Sequence, residues 1–340
     1  MFIKKILILL IIISLGLITV ACSNNIIENL AIKEKYAGSG GPGDFYKVDI
    51  NLTDMSYSFR NLTQQSDEGN GTFNVVNKTG STAVYRLDTG DIFVKLSDSM
   101  LVVANNDSNP GERLTVALKE SNQEFGNLIE GTYNIATSME GAVGEVIVNT
   151  DSNTVDIYLD MNGDNDYEDP EEKYENLSYF YNSTYNAIEL KESNLFKHYG
   201  VYYNNELAVW DSYFWDNGSW TGDGMSVMVK QDKTVNLNEY EGAYYFIDVD
   251  GDYGSFELIN IGVNEPNLDM RVAGVSIGVS LTQSNIDSRG IINFKADLAN
   301  NDGTDEQWHM MALPGSAIIL SSTDDNAFGG DGGIVVGIKK

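Results

Sequence analysis

The sequence predicts an all-β protein of three tandem repeats of roughly 110 residues, each a set of antiparallel strands closing as a sandwich or barrel. Three observations carry this. From Asp44 onward, short runs of alternating polar and apolar residues take the place of any helical periodicity. Gly, Asn and Asp punctuate the runs about every eight to twelve positions, the spacing of strands joined by turns. Finally, Leu114–Lys119, Met225–Lys230 and Ile334–Lys339 repeat one pattern, an apolar strand ended by lysine.

The clearest strands are YKVDINL (46–52), TVDIYLD (154–160), ELAVWDSYFW (206–215) and GSFELINI (254–261). They are rich in Val, Ile, Tyr and Thr, which suit a half-buried pleated surface. The repeat lysines Lys119, Lys230 and Lys339 stand 111 and 109 positions apart. Glu130-Gly131-Thr132-Tyr133 returns as Glu241-Gly242-Ala243-Tyr244, again 111 positions on. Glycines at 43, 144 and 254 each open an alternating run. These markers give repeats over 44–138, 139–249 and 250–340, of about seven strands each, with the Glu-Gly-x-Tyr strand closing the first two. Three sequential β domains are expected; one larger pseudo-threefold assembly is the alternative.

The N-terminus reads as an export signal over 1–21. Lys4 and Lys5 precede an apolar run from Ile6 to Ile18, broken only by Ser14 and Gly16. That run is short for a bilayer span, which takes about 20 residues. Thr19-Val20-Ala21-Cys22 follows, and it resembles the lipobox of bacterial lipoproteins, with Thr19 where leucine is usual. The resemblance implies cleavage before Cys22 and lipid on its sulfur. It also gives a role to the only cysteine of the chain, which can form no internal disulfide. The expected location is the cell envelope, outside the cytoplasm; Ser23 after the cysteine implies the outer membrane if the cell has one. Residues 22–43 then form a lipidated tether ending in the glycine-rich stretch 37–43.

Acidic residues outnumber basic ones 50 to 21, a formal charge of −29. Such a surface repels phosphates and anionic headgroups, which excludes nucleic acid and leaves the lipid as the route to a membrane. Within the acidity one loop stands out: Asp160, Asn162, Asp164 and Asp166 alternate, and Glu171 falls at the twelfth place. Oxygens so spaced converge on a hard cation, with the glutamate closing the shell. The loop resembles that of an EF-hand, carried here on a strand and with Asn165 in the glycine position; this implies calcium in a structural role. Asp248, Asp250 and Asp252 form a second, shorter candidate, for which an ordinary turn is the competing reading.

Trp210, Trp215 and Trp220 fall within eleven residues, among Asp, Asn and Gly. Aromatic faces beside polar side chains are the chemistry that sugars call for; packing between sheets is the bland reading. His198 and His309 lie far apart, and no metalloprotease spacing, nucleophile elbow or phosphate loop occurs. The expectation is a non-catalytic, lipid-anchored surface protein that binds a glycan or other extracellular ligand, such as a surface protein, with calcium-ordered loops. A structural or adhesive envelope protein, and a polysaccharide-acting enzyme, are the alternatives.

Overall fold

The computed structural model describes residues 33–340 apart from 64–66, 97–98, 106–111, 121–129, 139–140, 162–172, 192–195, 205, 217–218, 264–265, 299–302, 314–315 and 325–331, and the backbone alone at 196, 213–216, 219–221 and 223. The first unit is β1 (Lys33–Gly40), β2 (Phe45–Asn51), β3 (Ser56–Asn61), β4 (Glu68–Thr79), β5 (Thr82–Leu87), β6 (Ile92–Leu96), β7 (Met100–Ala104) and β8 (Leu114–Lys119). The second is β9 (Gly131–Thr137), β10 (Val143–Asn149), β11 (Thr154–Asp160), β12 (Lys173–Asn182), β13 (Ala187–Lys191), β14 (Phe196–Tyr203), β15 (Leu207–Asp216) and β16 (Ser219–Lys230). The third is β17 (Gly242–Asp248), β18 (Tyr253–Asn260), β19 (Asn267–Val272), β20 (Val275–Thr282), β21 (Ile292–Ala296), β22 (Glu306–Leu313), β23 (Ala317–Ser322) and β24 (Gly333–Lys339). Each is an up-and-down antiparallel set. The first two close as eight-stranded barrels, and the third keeps the same order but is cut between β20 and β21. The all-β, three-repeat fold class is thus present. Among the described residues no helix is long and apolar enough to cross a membrane.

Closure explains the repeat. The last strand of each unit pairs with its first, and the paired residues are the repeated ones: Tyr36 with Lys119, Tyr133 with Lys230, Tyr244 with Lys339. At Gly131 and Gly242 the backbone takes φ of 135° and 150°, where a side chain is strained. The lysine stem crosses there: a Cβ on Gly242 would fall 2.6 Å from Lys339 Cε. Barrel 1 has Glu34 in that register place, and its carboxylate lies 3.9 Å from Lys119 Nζ.

These pairings revise the expected boundaries. The Glu-Gly-x-Tyr strands open the second and third units rather than closing the first two. The units run over 33–119, 131–230 and 242–339, with eight strands each. In a closed ladder the first and last strands are neighbours, so a motif on the seam belongs equally to either end. The tether shortens for a different reason. Residues 33–40 are a barrel strand, and the Ala-Gly-Ser-Gly stretch is buried. A Cβ at Gly38 would fall 2.0 Å from Val116 O, so the glycine serves close backbone approach rather than flexibility. Cys22 and the segment before residue 33 lie outside the described residues.

The units are not beads in a row. Each has its own interior cluster, and outward faces of all three merge in a fourth that includes Val94, Val116, Val209, Val227, Ile319 and Val336. Turns complete a cyclic contact. Gly222 of the second unit lies so close to Pro42 of the first that a Cβ would fall 1.9 Å from the proline carbonyl. Ser321 Oγ of the third donates to Gly141 O of the second. Arg113 of the first donates from its amide to Val249 O of the third, at 2.8 Å. Strands on the shared core are buried on both faces and read as continuous apolar runs, such as IFVKL, MLVVA and AIILSS. Strands facing solvent alternate, as in β2, β11 and β18.

Candidate functional site

Eight strands make a barrel just wide enough to be filled by side chains or to hold one small ligand. Barrels 1 and 2 each enclose a cavity of ≈ 350 Å³. Both cavities lie toward the same end of the strands, the one where β1 turns to β2 and β9 turns to β10. Their linings differ in chemistry.

In barrel 1 the walls carry Tyr46, Tyr57, Phe59 and Phe93 beside Asp67, Asp91 and Asn105. Tyr46 OH donates to Asp67 Oδ2 at 3.2 Å, and Thr89 Oγ1 donates to Asp91 Oδ2 at 2.7 Å. Burial, reinforced by Asp44 and Asp67, pushes the Tyr46 phenol far above its ordinary range, so it stays a donor. Gly69 of β4 leaves room for the cavity wall; a Cβ there would strike Phe59 at 2.7 Å. The closed end is sealed by charge: Tyr36 OH donates to Glu34 at 2.9 Å, and Lys95 Nζ sits 3.2 Å from the same carboxylate.

Barrel 2 is lined by Ile135, Val155, Ile157, Leu159, Met228 and other apolar side chains, with Thr137, Ser212, Ser226 and His198 toward one end. His198 Nδ1 lies 3.0 Å from Asp211 O. Among the described residues no acid, lysine or arginine lines this cavity. Below it stand Tyr133, Tyr179 and Tyr202 with buried hydroxyls; among the described residues those of Tyr133 and Tyr179 have no hydrogen-bond partner, and that of Tyr202 lies against the Trp210 indole N–H. Burial raises Tyr133 to about 12 and moves Tyr179 and Tyr202 in the same direction, so all three remain neutral donors.

The sequence-predicted residues fall as follows. Trp210 is not an exposed platform: it is 4 % accessible and lines the barrel 2 cavity. Its ring meets Tyr202 edge-on at 5.8 Å and covers Gly200, where a Cβ would come within 2.8 Å of the indole. The reason is the double burial of β15, one face toward the barrel interior and the other toward the shared core. Trp215 and Trp220 face one another in the β15–β16 backbone ladder; their side chains lie outside the description. Asp160 ends β11 fully buried, while Asn162, Asp164, Asp166 and Glu171 lie outside the described residues. Strands β11 and β12, which flank that acidic segment, end on the same side of barrel 2 as β15 and β16. The described strand ends that flank the two sequence motifs therefore lie on one side of barrel 2.

The acidic turn at 248–252 has a structural use. Asp248 Oδ1 accepts the amides of Asp250 and Asp252, at 3.1 and 2.8 Å, and Arg113 Nη1 of barrel 1 donates to Asp250 O at 3.3 Å. This is a capped turn docked on a neighbouring unit. Among the described residues no three His, Cys, Asp or Glu side chains gather as a metal site. The barrel 1 residues were missed by sequence reading. The alternate glycines of EGNGTFN, next to a strand ending in aromatics, were the available signal.

The sequence matches no family model and no curated protein. Two solved structures share some likeness. One is a protein of unknown function of the DUF3598 family from Nostoc punctiforme, 12% identical, with 64% of this chain and 97% of that one covered and a TM-score of 0.22. The other is a variant of the vaccine antigen transferrin binding protein B from Haemophilus parasuis, 9% identical, with 87% of this chain and 65% of that one covered and a TM-score of 0.26. At such scores neither likeness bears on function.

Proposed function

We propose that this chain is a lipid-anchored, extracytoplasmic binding protein without catalytic activity, and that barrel 1 holds a glycan-type ligand. The observation that carries the reading is the barrel 1 lining: aromatic faces alternate with the carboxylates of Asp67 and Asp91 in a cavity of ≈ 350 Å³. Rings stack on sugar C–H groups, and carboxylates accept charge-assisted hydrogen bonds from hydroxyls. This moves the expected sugar chemistry from the tryptophan segment to another unit. The lipid on Cys22 would hold the ring of units at a membrane surface. Calcium belongs, in this reading, to the 160–171 segment, where it would order a loop rather than touch the ligand.

A glycan array on the chain from Ser23 to Lys340, run with calcium and with EDTA, tests this directly. Saccharide binding should fall roughly tenfold in Asp67→Asn and in Phe59→Ala, each at the level of one good polar or stacking contact. Binding that both variants leave untouched, or no saccharide bound in either condition, would refute it. Calcium should raise the thermal midpoint of the wild-type chain and not that of Glu171→Gln.

A further inference from the structure

The cavity of barrel 1 is acidic as well as aromatic. We infer that the saccharide it takes carries a free ammonium group, as an amino sugar does. The inference rests on reading barrel 1 as a saccharide site, and it adds the sign of the ligand's charge.

The one-sided charge follows from the strand pattern. Tyr46, Val48 and Ile50 of β2 and Tyr57 and Phe59 of β3 line the cavity. Side chains alternate along a strand, so Lys47 and Arg60 stand on the outer face. There they share a surface with Asp49 and Glu68. Lys95 is held at the closed end by Glu34, 3.2 Å away. Arg113, whose carbonyl accepts the Asn105 amide at 2.7 Å, sends its guanidinium to Asp250 O of the third unit. Every lysine and arginine beyond Lys5 is among the described residues, and none lines the cavity. The absence of these cations therefore holds for the whole chain from Ser23 on, undescribed segments included.

Against that absence stand two carboxylates of the lining, Asp67 and Asp91. Asp67 accepts from Tyr46 OH at 3.2 Å and from Asn61 Nδ2 at 3.4 Å, both neutral donors. A ligand that enters displaces water from these acids. A neutral sugar would leave their charge desolvated and uncompensated, and an acidic one would add repulsion. An ammonium supplies the counter-charge. It also suits the rings. Tyr46 and Phe59 meet at 63°, with centroids 6.3 Å apart, and Tyr57 and Phe93 extend the aromatic wall. Ring faces attract a cation most where it is stripped of water. One lining thus offers stacking for the C–H groups of a sugar, acceptors for its hydroxyls and a counter-charge for its amine.

The probes are the methyl glycosides of glucosamine and of galactosamine, each with its N-acetyl and its 2-hydroxyl counterpart. Each is titrated by calorimetry into the chain from Ser23 to Lys340 at about pH 6, where such an amine, like an α-amino group, is charged. In at least one configuration the free amine should bind at least about tenfold more tightly than both counterparts. That advantage should shrink as pH rises past about 8, where the amine loses its proton, and as salt is added. Asp67→Asn should cost the amine about tenfold and its 2-hydroxyl counterpart about threefold or less, a split that a merely structural effect would not produce. The wild-type series depends on no variant. Counterparts that bind as tightly as the amine, or an advantage indifferent to pH and salt, would overturn the ammonium and leave the saccharide reading standing. Binding on the glycan array confined to neutral or acidic saccharides would do the same. No glycoside bound, together with an array blank for every saccharide, would remove both.

Discussion

Barrel 2 and the third unit share strand order, seam and position against the common core, yet their interiors are opposites. Around its tryptophan the third unit is closely packed. Trp308, 1 % exposed, donates from Nε1 to Ala296 O at 3.1 Å and to Glu306 Oε2 at 3.3 Å, and Tyr244 stacks on Phe256 at 5.1 Å. Val235, Leu237 and Tyr240, from the segment leading into β17, pack into the same cluster. Barrel 2 has a tryptophan too, but its indole edges a cavity of ≈ 350 Å³. The lesson is a division of labour within each repeat. Seam and axis-facing strands fix the assembly, and the inward positions of the remaining strands are free to make a filled core, a polar pocket or an apolar one.

The comparison predicts unequal costs for the same truncation. Trp308→Ala should destabilise by about 3–5 kcal/mol, because a filled core is left with a void and Glu306 loses a donor. Trp210→Ala, at a site already hollow on one side, should cost about 1–3 kcal/mol. Urea denaturation of both variants decides it. Equal losses would mean that barrel 2 is as tightly packed as the third unit.

Much of this architecture was legible. Strands on the solvent side alternate with period two, so 46–52, 154–160 and 254–261 could be read from their pattern. The seam lysines and tyrosines exposed the repeat because each pair must meet in register. What could not be read has physical causes. Residues 37–40 look like a linker because glycine serves both flexibility and close packing, and only the neighbouring Val116 carbonyl distinguishes them. Trp210 looked available because β15 is apolar on both faces, and a sequence cannot say that two different cores cover it. The cavities were invisible for a related reason. Alternation tells which side chains point inward, not whether those from opposite walls meet.

A milder set of substitutions probes the seam tyrosines. Tyr36→Phe and Tyr244→Phe each remove a buried hydrogen bond, to Glu34 and to Tyr240 O, and should cost about 1 kcal/mol. Tyr133→Phe removes a hydroxyl that has no partner among the described residues, so stability should be unchanged or slightly higher. A loss at Tyr133 equal to the other two, by thermal denaturation, would show that its hydroxyl is satisfied after all.

The smallest effect concerns two groups buried where units meet. Burial, aided by Asp252 and Asp250, raises the Asp248 carboxyl to about 7, against the amides it accepts. Burial, aided by Arg289, lowers His309 to about 4. Between pH 4 and 6.5 the folded state therefore holds the Asp248 proton that the unfolded chain gives up, and lacks the His309 proton that the unfolded chain takes. The first makes stability fall as pH rises, and the second makes it rise. The two slopes oppose one another in the wild type. Asp248→Asn keeps an acceptor for the turn but removes one titration, leaving that of His309. Its thermal midpoint should then climb with pH through this window more steeply than that of the wild type, by up to about 2 °C per pH unit for a single proton. His309→Gln should tilt the profile the other way, losing stability as pH rises toward 7. Parallel profiles for the two variants would show that these interface groups titrate alike in the folded and unfolded chain.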